Sequence, residues 1–167
     1  MALLPILQYP DPRLHIVAAP VTRFDEELQR LVRDMAETMY AAPGVGLSAT
    51  QVDVHRQVIV IDVSDGRDAL QVFINPVLLE GWGESGLEEG CLSVPGVYDQ
   101  VPRYERVRIE ARDARGERFE LEVDGLMSVC VQHEMDHLKG RVFVEYLSRL
   151  KQTRIASRMR KQQRRAG

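Results

Sequence analysis

The sequence predicts an α+β fold, with mostly antiparallel sheets packed around a central helix that bears an HExxH pattern, and with an N-terminal helix and a C-terminal helix beside them. Three observations lead there. Short runs rich in β-branched residues bury one face each, two of them lie close enough in sequence to form a hairpin, and three separate segments have helical character. A chain of 167 residues suits one domain. An apolar fraction of 44% with 28% charged residues argues against a disordered chain or a membrane protein. The apolar start Leu3–Leu7 is broken by Pro5 and lacks a cationic leader, so a cytoplasmic protein without a membrane span is expected. The two cysteines, Cys91 and Cys130, are then expected to stay reduced.

Asp25 offers a cap for a first helix running to about Tyr40, with Leu28, Leu31, Val32, Met35 and Met39 on one face and Pro43 and Gly44 to stop it. Gln57–Val63 (QVIVIDV) reads as a buried strand and Gln71–Leu79 as another, with Ser64–Asp68 turning between them. Arg106–Ala111 and Arg118–Val123 alternate on either side of Asp113–Gly116 and predict a hairpin. Asp124 offers the cap of a second helix that Gly140 ends, and along it Leu126, Cys130, His133 and His137 share one face. Arg141–Val144 reads as a strand, and a third helix begins near Leu147.

The chemistry concentrates in Gln132–Leu138 (QHEMDHL), which contains HExxH at His133, Glu134 and His137. Two histidines four apart on a helix point the same way and can hold one metal ion, while Glu134 reaches a water molecule that the ion activates. Such an ion lowers the pKa of water towards roughly 7, which is hydrolytic chemistry. The pattern is short enough to arise by chance from two core histidines. Yet two imidazoles on the apolar face of a short helix would be poorly satisfied without a partner. A catalytic site of this kind takes a third protein ligand. No histidine follows His137, and Glu145 is the only acid after it, so the ligand is expected upstream. Cys91, in EEGCLSVPG, is the candidate, because a thiolate binds zinc or iron well and Gly90 lets the backbone come close. Cys130, one turn before His133, suits an inert buried role.

Three segments, GVGLSATQ (Gly44–Gln51), EGCLS (Glu89–Ser93) and QHEMDHLKG (Gln132–Gly140), together resemble the motifs of the peptide deformylases, in that family's order and at similar separations. The likeness extends along the whole chain and is nearest to the short form typical of Gram-negative bacteria. It implies an enzyme that removes the N-terminal formyl group from the formyl-methionine of nascent polypeptides. It implies metal ligation by Cys91, His133 and His137, with Glu134 as general acid and base. Gln51 and the backbone amide of Leu92 would stabilise the developing oxyanion, each donor by on the order of 3 kcal/mol. A peptide would lie along Val45 and Gly46 like an added strand. Val45, Leu87, Leu126, Cys130 and His133 would receive the methionine side chain, although Leu87 and Leu126 could equally belong to the core. Glu89 and Arg103 resemble a pair that braces the metal loop, against the plainer reading of a surface ion pair. Ser48 departs from the usual alanine, with local hydrogen bonding the property most exposed to change. Ligand chemistry alone fits Zn²⁺; the resemblance implies Fe²⁺, with Ni²⁺, Co²⁺ or Zn²⁺ able to replace it. Residues 1–147 would form the catalytic domain and residues 148–167 a basic helical extension of it.

The net charge of −3 conceals a division. All 25 acids and fourteen of the 22 bases lie within residues 1–145, whereas the chain after Glu145 holds eight bases and no acid. An acidic body with a basic tail suggests that the C-terminal helix seeks a polyanion, here the ribosome near the exit tunnel; a merely solvated terminus is the alternative. Two other functions compete. A metallopeptidase would use the same helix on unformylated peptides, and an RNA-binding protein with a structural metal would need a fourth protein ligand and no Glu134.

Overall fold

Asp25 caps the first helix as expected. In the computed structural model, which describes residues 2–166, its carboxylate accepts the Leu28 N–H at 3.0 Å, and α1 runs over Glu26–Ala41. Glu26 and Glu27 add negative charge at the end of the helix where free N–H groups point outwards. Leu28, Val32, Met35 and Met39, at helical spacing, are buried, with Leu31 partly so. The strands are β1 (Gly46–Ser48), β2 (Val58–Ile61), β3 (Gln71–Trp82), β4 (Glu88–Cys91), β5 (Val94–Gln100), β6 (Arg106–Arg112) and β7 (Arg118–Asp124). Two further helices follow, α2 (Gly125–Leu138) and α3 (Arg149–Ala166).

Five strands form one sheet in the order β1-β2-β3-β6-β7, all neighbours antiparallel, and β4 pairs with β5 alone. The α+β expectation is thus met. β2 explains how the sheet holds the helices. Val58 and Val60 pack into a cluster with Leu28, Val32, Met35 and Met39 of α1, while Ile59 and Ile61 pack with Cys130, Val131, Met135 and Leu138 of α2. A strand covered on both faces must be apolar throughout, hence VIVI. β3 runs on to Trp82, three residues past the expected end, and is interrupted near Asn75 and Pro76, where φ at Asn75 is +52° and Pro76 has no N–H to give the ladder. Asn75 uses its side chain there to clamp both backbone groups of Val21, at 2.8 and 2.9 Å. The β6–β7 hairpin closes over Asp113–Glu117, with Gly116 at φ +88° and the Asp113 carboxylate accepting the Arg115 and Glu117 amides.

Three expectations need correction. Asp124 begins α2 but makes no side-chain cap, because it is still the last residue of β7, paired with Arg106 in the ladder. Arg141–Val144 is not a strand. Val142, Phe143 and Val144 are all buried in a third cluster with Leu7, Leu14, Val94 and Met159, and Phe143–Tyr146 winds into a 3₁₀ turn. A run hidden on every side looks like a strand in sequence, but among the described residues no neighbouring strand offers a ladder. The third helix begins at Arg149, not Leu147. It has an apolar side as well as a basic one, since Met159 is fully buried and Ile155 and Ala156 pack against the same cluster. Met1 and Gly167, the outer ends of the two expected segments, lie outside the described residues.

Candidate metal centre and active site

α2 packs against the five-stranded sheet, and one side of its buried face meets Glu89 and Cys91 of β4. His133 and His137 lie one turn apart on that face, 6% and 0% exposed, with ring centroids 4.9 Å apart and planes at 71°. Cys91, the last residue of β4, brings its Sγ to 3.3 Å from His137 Nε2, and one donor atom from each of Cys91, His133 and His137 lies within 4.8 Å of the others. One sulfur and two imidazole nitrogens make a set that suits Zn²⁺ or a similar transition-metal ion, and three donors leave one position for reaction.

The ring of His133 is oriented from behind. Its Nδ1 lies 2.8 Å from Glu89 Oε1, which makes Nε2 the atom available to an ion. Arg103 grips Glu89 through Nε at 2.7 Å and Nη2 at 3.0 Å, and reaches Asp136 Oδ2 through Nη1 at 2.6 Å. The Glu89 and Arg103 side chains are only 3% and 4% exposed, so this is no surface ion pair. Burial works against a charged imidazole at both histidines. At His133 the influence of Cys91 and Glu134, with hydrogen bonds to Cys91 and Glu89, outweighs it and holds the pKa well above 6.5. At His137 burial prevails, reinforced by His133 and Arg103, and the pKa falls well below 6.5.

Glu134 is buried beside β1, and a Cβ placed on Gly46 would fall 2.7 Å from its Oε2, so glycine is what lets the backbone lie so close. Its Oε1 has no hydrogen-bond partner among the described residues, and burial pushes its pKa up to about 7. Gln51 is clamped by Ser48, whose backbone N–H and hydroxyl both donate to Oε1, at 3.0 and 3.2 Å. That fixes the side-chain amide with its NH₂ directed at Ser93 Oγ, 3.0 Å away, and at Cys91 Sγ, 3.5 Å away. Ser48 thus alters local hydrogen bonding by adding a second donor to the Gln51 carbonyl.

The family model described as Polypeptide deformylase matches residues 3–153. The chain belongs to this family. It is 62% identical over 167 residues to peptide deformylase 1 of Burkholderia multivorans, covering 98% of this chain and 91% of that protein. It is 60% identical over 163 residues to the peptide deformylase of Neisseria gonorrhoeae, covering 98% of each. Among solved structures, a peptide deformylase from Legionella pneumophila superposes with a TM-score of 0.93 at 45% identity, over 97% of this chain and 96% of that one. The Ehrlichia chaffeensis enzyme in complex with actinonin does so with a TM-score of 0.93 at 36% identity, over 98% and 99%.

Within this deformylase fold the sequence-predicted residues divide into two groups. Cys91, His133, His137, Glu134 and Gln51 are brought together as described, and Leu92 occupies the turn directly after Cys91, with its side chain against Gly44. Val45, Leu87 and Leu126 are 39%, 42% and 46% exposed, which removes the core explanation for Leu87 and Leu126. Cys130 is buried, and burial pushes its thiol up to about 12, so it stays protonated and inert. Sequence reasoning missed Ser93, Asp136 and Tyr146. Asp136 stood beside His137 inside the strongest motif, which was signal enough; nothing local distinguished Tyr146.

Proposed function

We propose that Cys91, His133 and His137 hold one Fe²⁺, for which Zn²⁺, Ni²⁺ or Co²⁺ can substitute, and that the surrounding residues use it to hydrolyse the formamide at the start of a new polypeptide. When bound, the ion supplies Lewis acidity that makes water a nucleophile near neutral pH. Glu134, whose raised pKa lies close to that of the water it serves, takes the proton and returns it to the departing amine. The C–N bond of the formamide breaks, formate leaves, and a free α-amino group remains on methionine. Gln51 Nε2 and the Leu92 backbone amide hydrogen-bond the formyl oxygen as negative charge builds on it. β1 is the edge of the five-stranded sheet, so its outer side can take the peptide as an added strand along Val45 and Gly46. Val45, Leu87, Leu126, Cys130 and the ring of His133 receive the methionine side chain; three apolar residues left half in water suit a surface awaiting an apolar ligand.

The single observation that carries this reading is the convergence of one sulfur and two ring nitrogens beside an unpartnered buried carboxylate oxygen. The test is formate release from a formyl-methionyl tripeptide by the wild type and Glu134→Ala. The variant is expected to retain metal and lose at least about 100-fold in rate. A fully active Glu134→Ala overturns the mechanism, and cleavage of unformylated peptides at internal bonds would make the protein a peptidase instead. We also read the basic face of α3 as a docking element for ribosomal RNA in the cytoplasm, because it opposes the acidic body and would keep the enzyme where nascent chains emerge.

A further inference from the structure

The hydrogen bonds behind His133 continue past Glu89 and Arg103. Asp136 Oδ2 receives Arg103 Nη1 at 2.6 Å on one side and the Tyr146 hydroxyl at 2.8 Å on the other, while the guanidinium also lies over the Tyr146 ring, 5.1 Å from its centroid. Five side chains therefore form one line, Tyr146, Asp136, Arg103, Glu89 and His133, drawn from the 3₁₀ turn, α2, the segment after β5, β4 and α2 again. We propose that Tyr146 is a positioning residue for the metal centre: its hydroxyl fixes Asp136, so that Asp136 and Glu89 together hold Arg103 in one place and Glu89 in turn sets the ring of His133. This rests on the reading of Cys91, His133 and His137 as metal ligands.

The geometry explains why the far end of the line matters. Arg103 directs three nitrogens at two carboxylates, and a planar guanidinium can satisfy both only if each carboxylate is itself held. Glu89 is held by β4 and by His133. Asp136 sits on α2, and Tyr146 is the group that pulls its Oδ2 against the pull of Arg103. Although Tyr146 is 40% exposed, its hydroxyl turns inwards to the carboxylate instead of to water. The tyrosine is itself seated by α3, where Gln152 Nε2 donates to the carbonyls on either side of it, Glu145 O at 3.3 Å and Leu147 O at 2.8 Å. Partners that orient a metal-bound histidine commonly change metal affinity by roughly 10- to 100-fold when removed. Tyr146 acts three residues further back than Glu89, so its effect should fall at or below the lower end of that range.

Tyr146→Phe removes one hydroxyl and leaves the ring under Arg103. Full-length wild type and variant, each loaded with Co²⁺, are compared for the Co²⁺ absorption bands, the rate of Co²⁺ loss to a chromogenic chelator, kcat and KM on a formyl-methionyl tripeptide, and the thermal midpoint after stripping the metal. The expected result is Co²⁺ loss about 3- to 10-fold faster, displaced absorption bands and a lower kcat at unchanged KM. Unchanged bands and an unchanged rate of loss overturn the proposal, whatever happens to the thermal midpoint, because a merely structural tyrosine moves only the latter. If wild type takes up no Co²⁺, the ligand assignment itself fails and the proposal with it. If wild type binds Co²⁺ and the variant is indistinguishable, only the role of Tyr146 is lost.

Discussion

Replacing Glu134 by glutamine should make the metal-stripped protein more stable while destroying its activity, and the size of the gain can be worked from the burial of one carboxylate. In the native state its pKa is pushed from 4.5 to about 7, chiefly by desolvation. Between those two values the native protein binds a proton that the unfolded chain has released, so stability falls as pH rises through that window. At about 1.4 kcal/mol for each pH unit, the ionised form costs the native state about 3 kcal/mol once the pH is above 7. Glutamine has nearly the same shape and no charge to desolvate. Urea unfolding of both proteins, kept reduced and in excess chelator, is expected to give equal stabilities near pH 4. By pH 8 Glu134→Gln should be more stable by about 3 kcal/mol, or roughly 6 to 12 °C in thermal midpoint for a chain of this size. Titrating groups that Glu134 does not touch are common to the two proteins and cancel in the difference; His133 and Cys130, whose pKa values the Glu134 charge raises, do not. Loading the protein with metal should shrink the gap, because a nearby cation favours the ionised carboxylate. A gap that does not vary between pH 4 and pH 8, or a variant less stable at pH 8, refutes the reasoning.

Three further outcomes follow from the packing. Met159→Ala should cost about 2 to 4 kcal/mol in urea unfolding, since Met159 is fully buried among Leu7, Tyr9 and Phe143, whereas Leu150→Ala, at a position 60% exposed, should change little. Gly46→Ala should fold, as judged by circular dichroism, yet lose on the order of 10- to 100-fold in kcat, because the added Cβ would displace the Glu134 carboxylate from 2.7 Å away. Exchanging the exposed Arg154, Lys161, Arg164 and Arg165 for glutamine should reduce co-sedimentation with ribosomes at low salt and leave tripeptide kinetics unaltered; undiminished co-sedimentation would show that the helix does not dock there.

What could be read in the sequence was whatever a single segment decides for itself. α1 announced both its ends, through Asp25 and Pro43, and the β6–β7 hairpin announced its turn. β1, with three residues, and the β4–β5 pair escaped notice, because their strands gain order only from neighbours distant in sequence and carry a glycine each. The donor set was legible for the same reason that α1 was: His133 and His137 share a helix, and Cys91 was the thiol left once Cys130 had a simpler place. The line from Glu89 through Arg103 to Asp136 and Tyr146 was legible only where a motif happened to include its members. Asp124 misled because a residue can close a strand and open a helix at once, and the ladder kept its carboxylate from the cap.

The isolation of the β4–β5 pair has a mechanical side. Among the described residues no ladder joins it to the larger sheet, so its attachment depends on Val94 and Val97 in the core, on the hydrogen bonds of Tyr9 and Gln51 to Ser93 and of His133 to Glu89, on the buried grip of Arg103, and on whatever Cys91 shares with α2. An ion bound by Cys91 and His137, 46 residues apart in the chain, would act as a removable crosslink between two parts that backbone hydrogen bonds leave separate. The ribbon that supplies the sulfur would then be the first region to loosen when that crosslink is withdrawn, exposing Cys91 to oxidants and amides near Leu92 to exchange before the five-stranded sheet yields any of its own.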